Sequence, residues 1–270
     1  MTTLALIGNL SVDRIADGAP RAGGGVFHGA RAAAHIGADA VVLTRCAPTD
    51  RDTALAPLEA TGLPVTCVDA RETTAFSFHY EGDHRVMTVD AVGDPWTAQD
   101  VEGWASGPLQ ATRWVLVAGL LRSHFPPDAL AALARGGRRL LLDAQGIVRI
   151  ARRGPLERDA DVDRRTVEHL AVLKLNEDEA RILAGGLEPE ALRALGVPEI
   201  VLTLGSRGAL VVTADVAAPI APHPTPGSVD PTGAGDVFSF VYLDARAAGL
   251  EPVPAAERAA RVAAELIAPR

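Results

Sequence analysis

Gly233, Ala234, Gly235 and Asp236 stand directly before an apolar run, Val237-Phe238-Ser239-Phe240-Val241-Tyr242-Leu243. Small residues let successive backbone N–H groups turn inward, and a helix starting there adds unpaired N–H groups and a positive dipole end. Such a place accepts an anion, and a phosphate in transfer uses it best. Asp236 has the same sign of charge as that anion, so holding phosphate is not its purpose. A carboxylate so placed suits a base that takes the proton from an attacking hydroxyl. The same residues also allow a glycine-rich turn with an aspartate near a helix start. The loop has no Gly-Lys-Ser/Thr, so it is not a Walker A loop, and positive charge must come from a metal ion and from elsewhere in the pocket.

Three further groups carry possible chemistry. Asp13 follows a strand-like run, Leu4-Ala5-Leu6-Ile7, at the edge where open α/β sheets collect ligands. A carboxylate there accepts from two adjacent hydroxyls, the recognition a polyol demands; otherwise it is a turn aspartate. Leu141-Leu142 delivers Asp143 and Gln145 to the same edge, Gly146 permits a tight turn, and Arg149 is within reach of a substrate or phosphate; the alternative is an ordinary strand-to-helix loop. Asn176 and Glu179 lie three apart just beyond Val172 to Leu175, the spacing of a helix capping box.

The elements that must position these groups read as alternating strands and helices. Leu4 to Ile7, Ala40 to Thr44 and Val65 to Val68 read as strands, with helices at Ala30 to Ile36 (closed by Gly37) and Thr53 to Thr61 (closed by Gly62). The pattern returns with Trp114 to Val117, Pro127 to Arg135, Arg139 to Leu142, Val172 to Leu175 and Glu199 to Thr203, then a hairpin-like Gly208 to Val212. This predicts an α/β fold, doubly wound, with a mostly parallel central sheet and helices on both faces, as one domain over residues 1–270. A barrel would use the same grammar. Thr74 to Tyr80 alternates like a half-exposed strand, Glu81 to His84 turns, and Arg85 to Val89 returns, which predicts a hairpin outside the parallel sheet. Phe76, Phe78 and Tyr80 fall on one face of it. Ala217 to Pro226, with four prolines, reads as an extended connector.

Composition removes several classes. Of 270 residues, 48% are hydrophobic and 22% charged, which is globular composition. A net charge of -8 argues against a nucleic-acid or anionic-membrane surface, and no apolar stretch is long enough for a bilayer. Cys46 and Cys67 fit no metal-ligand spacing and read as reduced core residues; with no signal-like start, a cytoplasmic protein is expected. The nicotinamide fingerprint Gly-x-Gly-x-x-Gly is absent after Ile7, where Gly8-Asn9-Leu10-Ser11 stands.

Five segments, in order, resemble the ribokinase-like (PfkB-type) carbohydrate kinases, a family of sugar, nucleoside and inositol kinases. They are Gly8-Asn9-Leu10-Ser11-Val12-Asp13; Gly23-Gly24-Gly25 with Ala30 to Gly37; Asn176-Glu177-Asp178-Glu179; Thr203-Leu204-Gly205-Ser206-Arg207-Gly208; and Asp230-Pro231-Thr232-Gly233-Ala234-Gly235-Asp236. The resemblance spans nearly the whole chain. It implies a kinase using ATP and Mg²⁺, with Asp236 as base and Gly233, Ala234 and Gly235 as anion hole. It implies Thr232, Gly233, Gly235, Asn176, Thr203, Gly205 and Gly208 on the nucleotide side, and Glu179 orienting Mg²⁺ through water. Asp13, Gly24 and Gly25 would meet the acceptor. The family's usual asparagine after the glycines is replaced by Val26-Phe27-His28, which leaves open whether His28 takes its role.

The run Asp143-Ala144-Gln145-Gly146…Arg149 resembles the myo-inositol kinase branch, so a small neutral cyclic polyol is the favoured acceptor. Ribose, fructose, a nucleoside or a phosphosugar are the alternatives, as is a sugar- or nucleotide-binding protein without catalysis; a phosphosugar would call on Arg14 and Arg21. In this family the hairpin forms a β lid over the acceptor and often a homodimer contact. The short interval Arg14 to Ala22 implies a reduced lid of two to four strands from about 11–22 and 74–90. Relatives usually continue in helix beyond the stretch matching Ala255 to Ile267, which implies a partly open adenine pocket.

Overall fold

The computed structural model describes residues 3–81, 84–224 and 232–267. Its strands are, in chain order, β1 (Thr3–Asn9), β2 (Ser11–Ile15), β3 (Arg21–Gly23), β4 (Ala40–Cys46), β5 (Val65–Asp69), β6 (Thr74–Glu81) and β7 (His84–Ala91). There follow β8 (Thr112–Ala118), β9 (Arg139–Asp143), β10 (Gly154–Pro155), β11 (Leu170–Asn176), β12 (Glu199–Thr203), β13 (Ala209–Thr213) and β14 (Ala217–Ile220). Among the described residues nine strands form the main sheet in the order β14-β13-β12-β11-β9-β8-β1-β4-β5. It is parallel from β12 to β5, and β13 and β14 add an antiparallel edge.

Strand alternation explains the layers. Leu4 and Leu6 of β1 pack into one core, with Leu116 of β8 and Leu141 of β9, while Ala5 and Ile7 pack into the other, with Val115, Val117, Leu140 and Leu142. Both faces of these strands are apolar because both are covered by helices. The first core takes the helices Gly25–Ile36, Ala234–Ala247 and Pro252–Ile267; the second takes Pro127–Ala134. The doubly wound reading holds and the barrel does not. Gly37 closes its helix in the left-handed region, as expected from the sequence. Cys46 and Cys67 are free thiols with sulfurs 3.8 Å apart.

Three expectations need correction. Thr53 to Thr61 is not one helix: a wide turn, Arg51–Leu55, leads into the short helix Ala56–Glu59. The connector begins as a strand, because Ala217–Ile220 pairs with β13; its last residues, Thr225 and Pro226, lie outside the described residues. The lid has five strands, ordered β10-β7-β6-β2-β3, because Gly154–Pro155 comes in from beyond β8 and β9 to pair with Thr88 and Val89. A two-residue strand with one glycine and one proline has no pattern of its own to read.

Leu10 alone separates β1 in the main sheet from β2 in the lid, so Asp13 sits mid-strand in the lid and not in a loop. Phe76 and Phe78 are each 2% exposed within the single chain, and Phe76 packs with Val89, Leu120 and Leu121. The Tyr80 side chain lies outside the described residues. The exposed aromatic strip on which a dimer contact would rest is therefore absent at both described positions, since this face turns onto the parent domain.

Candidate active site

The C-terminal ends of neighbouring parallel strands assemble the site. Along that edge stand Thr203 ending β12, Asn176 ending β11, Asp143 ending β9, Leu120 just beyond β8 and Asn9 ending β1. The long helix Ala234–Ala247 points its N-terminus at the same edge. Gly233 caps it with φ 82°, a left-handed conformation that costs a side-chain-bearing residue about 1 kcal/mol or more. A Cβ there would also stand 2.4 Å from His28 Nδ1, so the His28 ring packs directly against the anion loop. Asp230 and Pro231, which open the signature, lie outside the described residues.

Two cavities meet at this loop. The first, about 150 Å³, matches a small polyol in size and is lined by Asp13, Gly24, His28, Gln145, Arg149 and Asp236, with Asp143, Glu179, Thr232, Gly233 and Gly235 around them. The lid's Phe76 and Met87 and the loop residue Leu120 supply its apolar wall, so the hairpin does cover this cavity. Ser11 Oγ donates to Asp13 Oδ1 at 2.7 Å and so orients the carboxylate. Gly25 does not reach the cavity wall; it backs Asp236, whose Oδ1 lies 3.0 Å from where a Gly25 Cβ would be. Neither Arg14 nor Arg21 lines the cavity.

The second cavity, about 780 Å³, is lined by Asn176, Thr203, Gly205, Gly208, Ala234 and Gly235 on one side. Phe238, Ala260, Ala263 and Ala264 form its apolar side. Polar groups at the loop end and an apolar slot beyond it fit a nucleotide, with phosphates at the helix N-terminus and the base against the alanines.

Asp236 is a strongly perturbed acid of the site. Its carboxyl is pushed up to about 7, first by burial and then by the charge of Asp143, against the opposing pull of Lys174 and Arg149; Asp13 adds to the rise. Gln145 Nε2 donates to its Oδ1 at 3.3 Å. A carboxyl tuned near neutrality is matched to taking a proton from an alcohol. The folded value lies above the ordinary 3.8, so the group is neutral below about pH 7 and ionised above it. We therefore expect kcat/KM to rise with pH through a limb near 7. A pH profile of the initial rate that stays flat from pH 5.5 to 8.5 would remove Asp236 as the ionising group.

Asn176 and Glu179 form a true capping box: Asn176 Oδ1 accepts from Glu179 N at 2.9 Å, and Glu179 Oε2 accepts from Asn176 N at 2.8 Å. Glu179 is 3% exposed, and burial, then Asp143, raise its pKa. With one oxygen used in the cap, its carboxylate suits a hydrated ion held through water. No group of three or more His, Cys, Asp or Glu among the described residues could cage a metal directly.

Asp143 is already engaged. Oδ2 accepts from Lys174 Nζ at 2.9 Å and from Ser239 Oγ at 3.4 Å, and Oδ1 accepts from the Gln145 N–H at 3.3 Å. Arg149 has its Nε buried without a hydrogen-bond partner, and burial lowers its pKa.

Lys174 lines both cavities and is a site residue that the motifs do not reveal. It lies inside β11, 6% exposed. Burial works against its charge, but Asp143 and Glu179 outweigh that and raise its pKa. A signal was available: Lys174 is the only lysine of the chain, and all other basic side chains except histidines are arginines. Ser11, Phe76, Met87 and Leu120 carry no comparable signal, because the walls they form come from separate elements.

Among the described residues no helix is long and apolar enough to cross a membrane. Solved structures share the whole architecture. A pyrophosphate-dependent kinase of the ribokinase family, in complex with a pyrophosphate analogue and myo-inositol, superposes with a TM-score of 0.79 at 24% identity, covering 99% of this chain and 95% of that one. A pyrophosphate-dependent myo-inositol-1 kinase converted into a myo-inositol-3 kinase gives 0.80 at 25% identity, covering 98% and 92%. Ribokinase of Arabidopsis thaliana, with ribose and ATP, gives 0.73 at 18% identity, covering 99% and 93%. The model of the pfkB family carbohydrate kinases matches residues 9–268, and the chain accordingly belongs to that family of phosphotransferases.

Proposed function

We propose that this kinase transfers the terminal phosphoryl group of ATP to a hydroxyl of a small neutral cyclic polyol resembling myo-inositol. The observation that carries the reading is the half-buried Asp236, its carboxyl pushed up to about 7, standing between the anion loop and a polyol-sized cavity that also holds Asp13. Asp13 accepts hydrogen bonds from acceptor hydroxyls, with Ser11 holding its orientation. Gln145 and His28 line the same cavity and complete the polar wall against the apolar one of Phe76, Met87 and Leu120.

In the transfer, the acceptor oxygen bonds to phosphorus, the bond to the leaving diphosphate oxygen breaks, and the hydroxyl proton passes to Asp236. Backbone N–H groups of the Gly233–Gly235 loop stabilise the charge on the phosphoryl oxygens. Mg²⁺, oriented through water by Glu179, would neutralise phosphate charge. Thr203, Gly205 and Gly208 line the donor cavity where the nucleotide lies, and Thr232 stands at the anion loop.

A second donor is favoured by one specific likeness. The 25%-identical neighbour is a pyrophosphate-dependent myo-inositol kinase, and pyrophosphate would need only the polar end of the donor cavity. The apolar side formed by Phe238, Ala260, Ala263 and Ala264 favours ATP. A panel of cyclitols, sugars and nucleosides, each with ATP and with pyrophosphate, tests both points by ADP or phosphate release. Turnover of myo-inositol or a related cyclitol with ATP is expected. Robust turnover only with ribose, fructose or a nucleoside would overturn the acceptor; turnover only with pyrophosphate would overturn the donor.

A further inference from the structure

We propose that the ammonium group of Lys174 donates directly to the phosphoryl group in transit, from beneath the anion loop, with Asp143 as the positioning residue that holds it there. The inference deepens the kinase reading and rests on it.

The placement follows from strand register. Lys174 of β11 and Asp143 of β9 are paired positions on adjacent parallel strands, so their side chains share one face of the sheet. That face looks toward the start of the helix Ala234–Ala247: a Cβ on Gly235 would lie 2.8 Å from Lys174 Nζ. The nitrogen therefore rests against the second glycine of the anion loop, where a side chain at 235 would push it aside. Ser239, one turn into the helix, donates to Gly235 O at 3.0 Å and to Asp143 Oδ2 at 3.4 Å, tying the pair to the loop.

The donor count says that something is missing. An ammonium carries three N–H donors. Among the described residues Nζ makes one hydrogen bond, to Asp143, although the side chain is only 7% exposed. Burying a cation with donors unused is costly, so the arrangement suits a ligand that brings acceptor oxygens. Phosphate oxygens at the anion loop are such acceptors.

Position narrows the ligand to the migrating group. Lys174 lines both the polyol-sized cavity and the donor cavity. Among lysine and arginine side chains of the described residues it alone does so: Arg149 lines only the first and Arg181 only the second. A phosphoryl group passing from donor to acceptor crosses the boundary at which Nζ stands. The loop itself carries no cation, so this lysine supplies from a neighbouring strand what a Walker loop supplies from its own sequence.

Residue choice points the same way. The chain uses arginine for all its other lysine-or-arginine positions, and keeps its one lysine here. A guanidinium is broad, planar and suited to bidentate pairing, whereas an ammonium is a compact point charge. Between Asp143 at 2.9 Å and Gly235 there is room for the compact group. Lys174 stays protonated throughout. The acceptor proton goes to Asp236 and the electron pair of the broken P–O bond goes to the leaving phosphate chain, so the lysine only stabilises the charge as it moves.

A single lysine makes the test direct. Uniform ¹⁵N-lysine labelling of the full chain gives one side-chain ammonium signal, followed during titration with pyrophosphate and with β,γ-imido-ATP, each with Mg²⁺, while calorimetry reports binding. The ¹⁵Nζ signal should shift in step with saturation by whichever anion binds. In parallel, Lys174→Met should lower kcat by roughly 10²–10³, the usual loss for one transition-state donor, with acceptor KM changed less than about threefold. An anion that binds by calorimetry but leaves the Lys174 signal unmoved overturns the proposal. Failure of both anions to bind at millimolar concentration does so too, as does a folded Lys174→Met variant within about threefold of wild-type kcat. The labelling experiment uses the unmodified protein, so it decides even if Lys174→Met does not fold. A shifted signal without turnover of any acceptor would sink the polyol-kinase reading and leave the phosphate contact standing.

Discussion

Asp236→Asn is expected to lower kcat by roughly 10²–10⁴, the range for loss of a positioned general base. Asparagine has nearly the same shape and keeps an oxygen to accept from Gln145, so the cavity wall survives while the proton acceptor is lost. Donor affinity should hold or improve, because the substitution deletes a negative charge facing the phosphates. Stability supplies an independent readout. A carboxyl held at about 7 instead of 3.8 costs up to about 4 kcal/mol once ionised. This penalty is absent below about pH 4, grows as pH rises, and is complete above about pH 7. At pH 8 the ligand-free Asn variant should therefore melt at a higher temperature than wild type, and at pH 4 the difference should vanish. Activity would be lost while stability is gained, which separates this substitution from a generic lesion. Retention of more than about a tenth of the wild-type kcat would remove Asp236 from the role of base.

Asp13→Ala should raise the acceptor KM by about 10- to 100-fold and leave the donor KM within about threefold. Asp13 is 7% exposed and lines the polyol-sized cavity but not the donor cavity, which is the ground for expecting so unequal an effect. A hydrogen bond to a charged group is worth about 1.5–3 kcal/mol, and each 1.4 kcal/mol is a factor of ten. Asp13→Asn is the gentler partner, since it keeps an oxygen for Ser11 Oγ and weakens only the charge. Its KM should fall between those of wild type and the alanine variant. Equal rises in both KM values would move Asp13 out of acceptor recognition.

The local chemistry of this site was written in the chain. Consecutive apolar runs gave the strands buried on both faces, Gly37 gave a helix end, and Asn176 with Glu179 gave a capping box that the hydrogen bonds reproduce. The glycines before Asp236 marked a helix start that can receive an anion, and the order of motifs marked the family. All of these depend on residues within a few positions of one another.

Pairing between distant strands decided the rest. The register of β9 against β11 sets Asp143, an expected acceptor ligand that lines the first cavity, opposite Lys174 and so pairs it with a buried ammonium. Period-two alternation places Phe76 and Phe78 on one face, but only packing against Leu120 and Leu121 decides that the face turns inward, over the acceptor cavity. Gly154–Pro155 becomes a lid strand solely because the edge of β7 is open to receive it. The carboxyl of Asp236 is pushed up to about 7 by burial, Asp143 and Asp13 against the pull of Lys174 and Arg149, residues from three other segments of the chain. Sequence spacing determines which groups the protein possesses. The electrostatic field that sets their proton affinities is a sum over neighbours, and folding alone selects the neighbours.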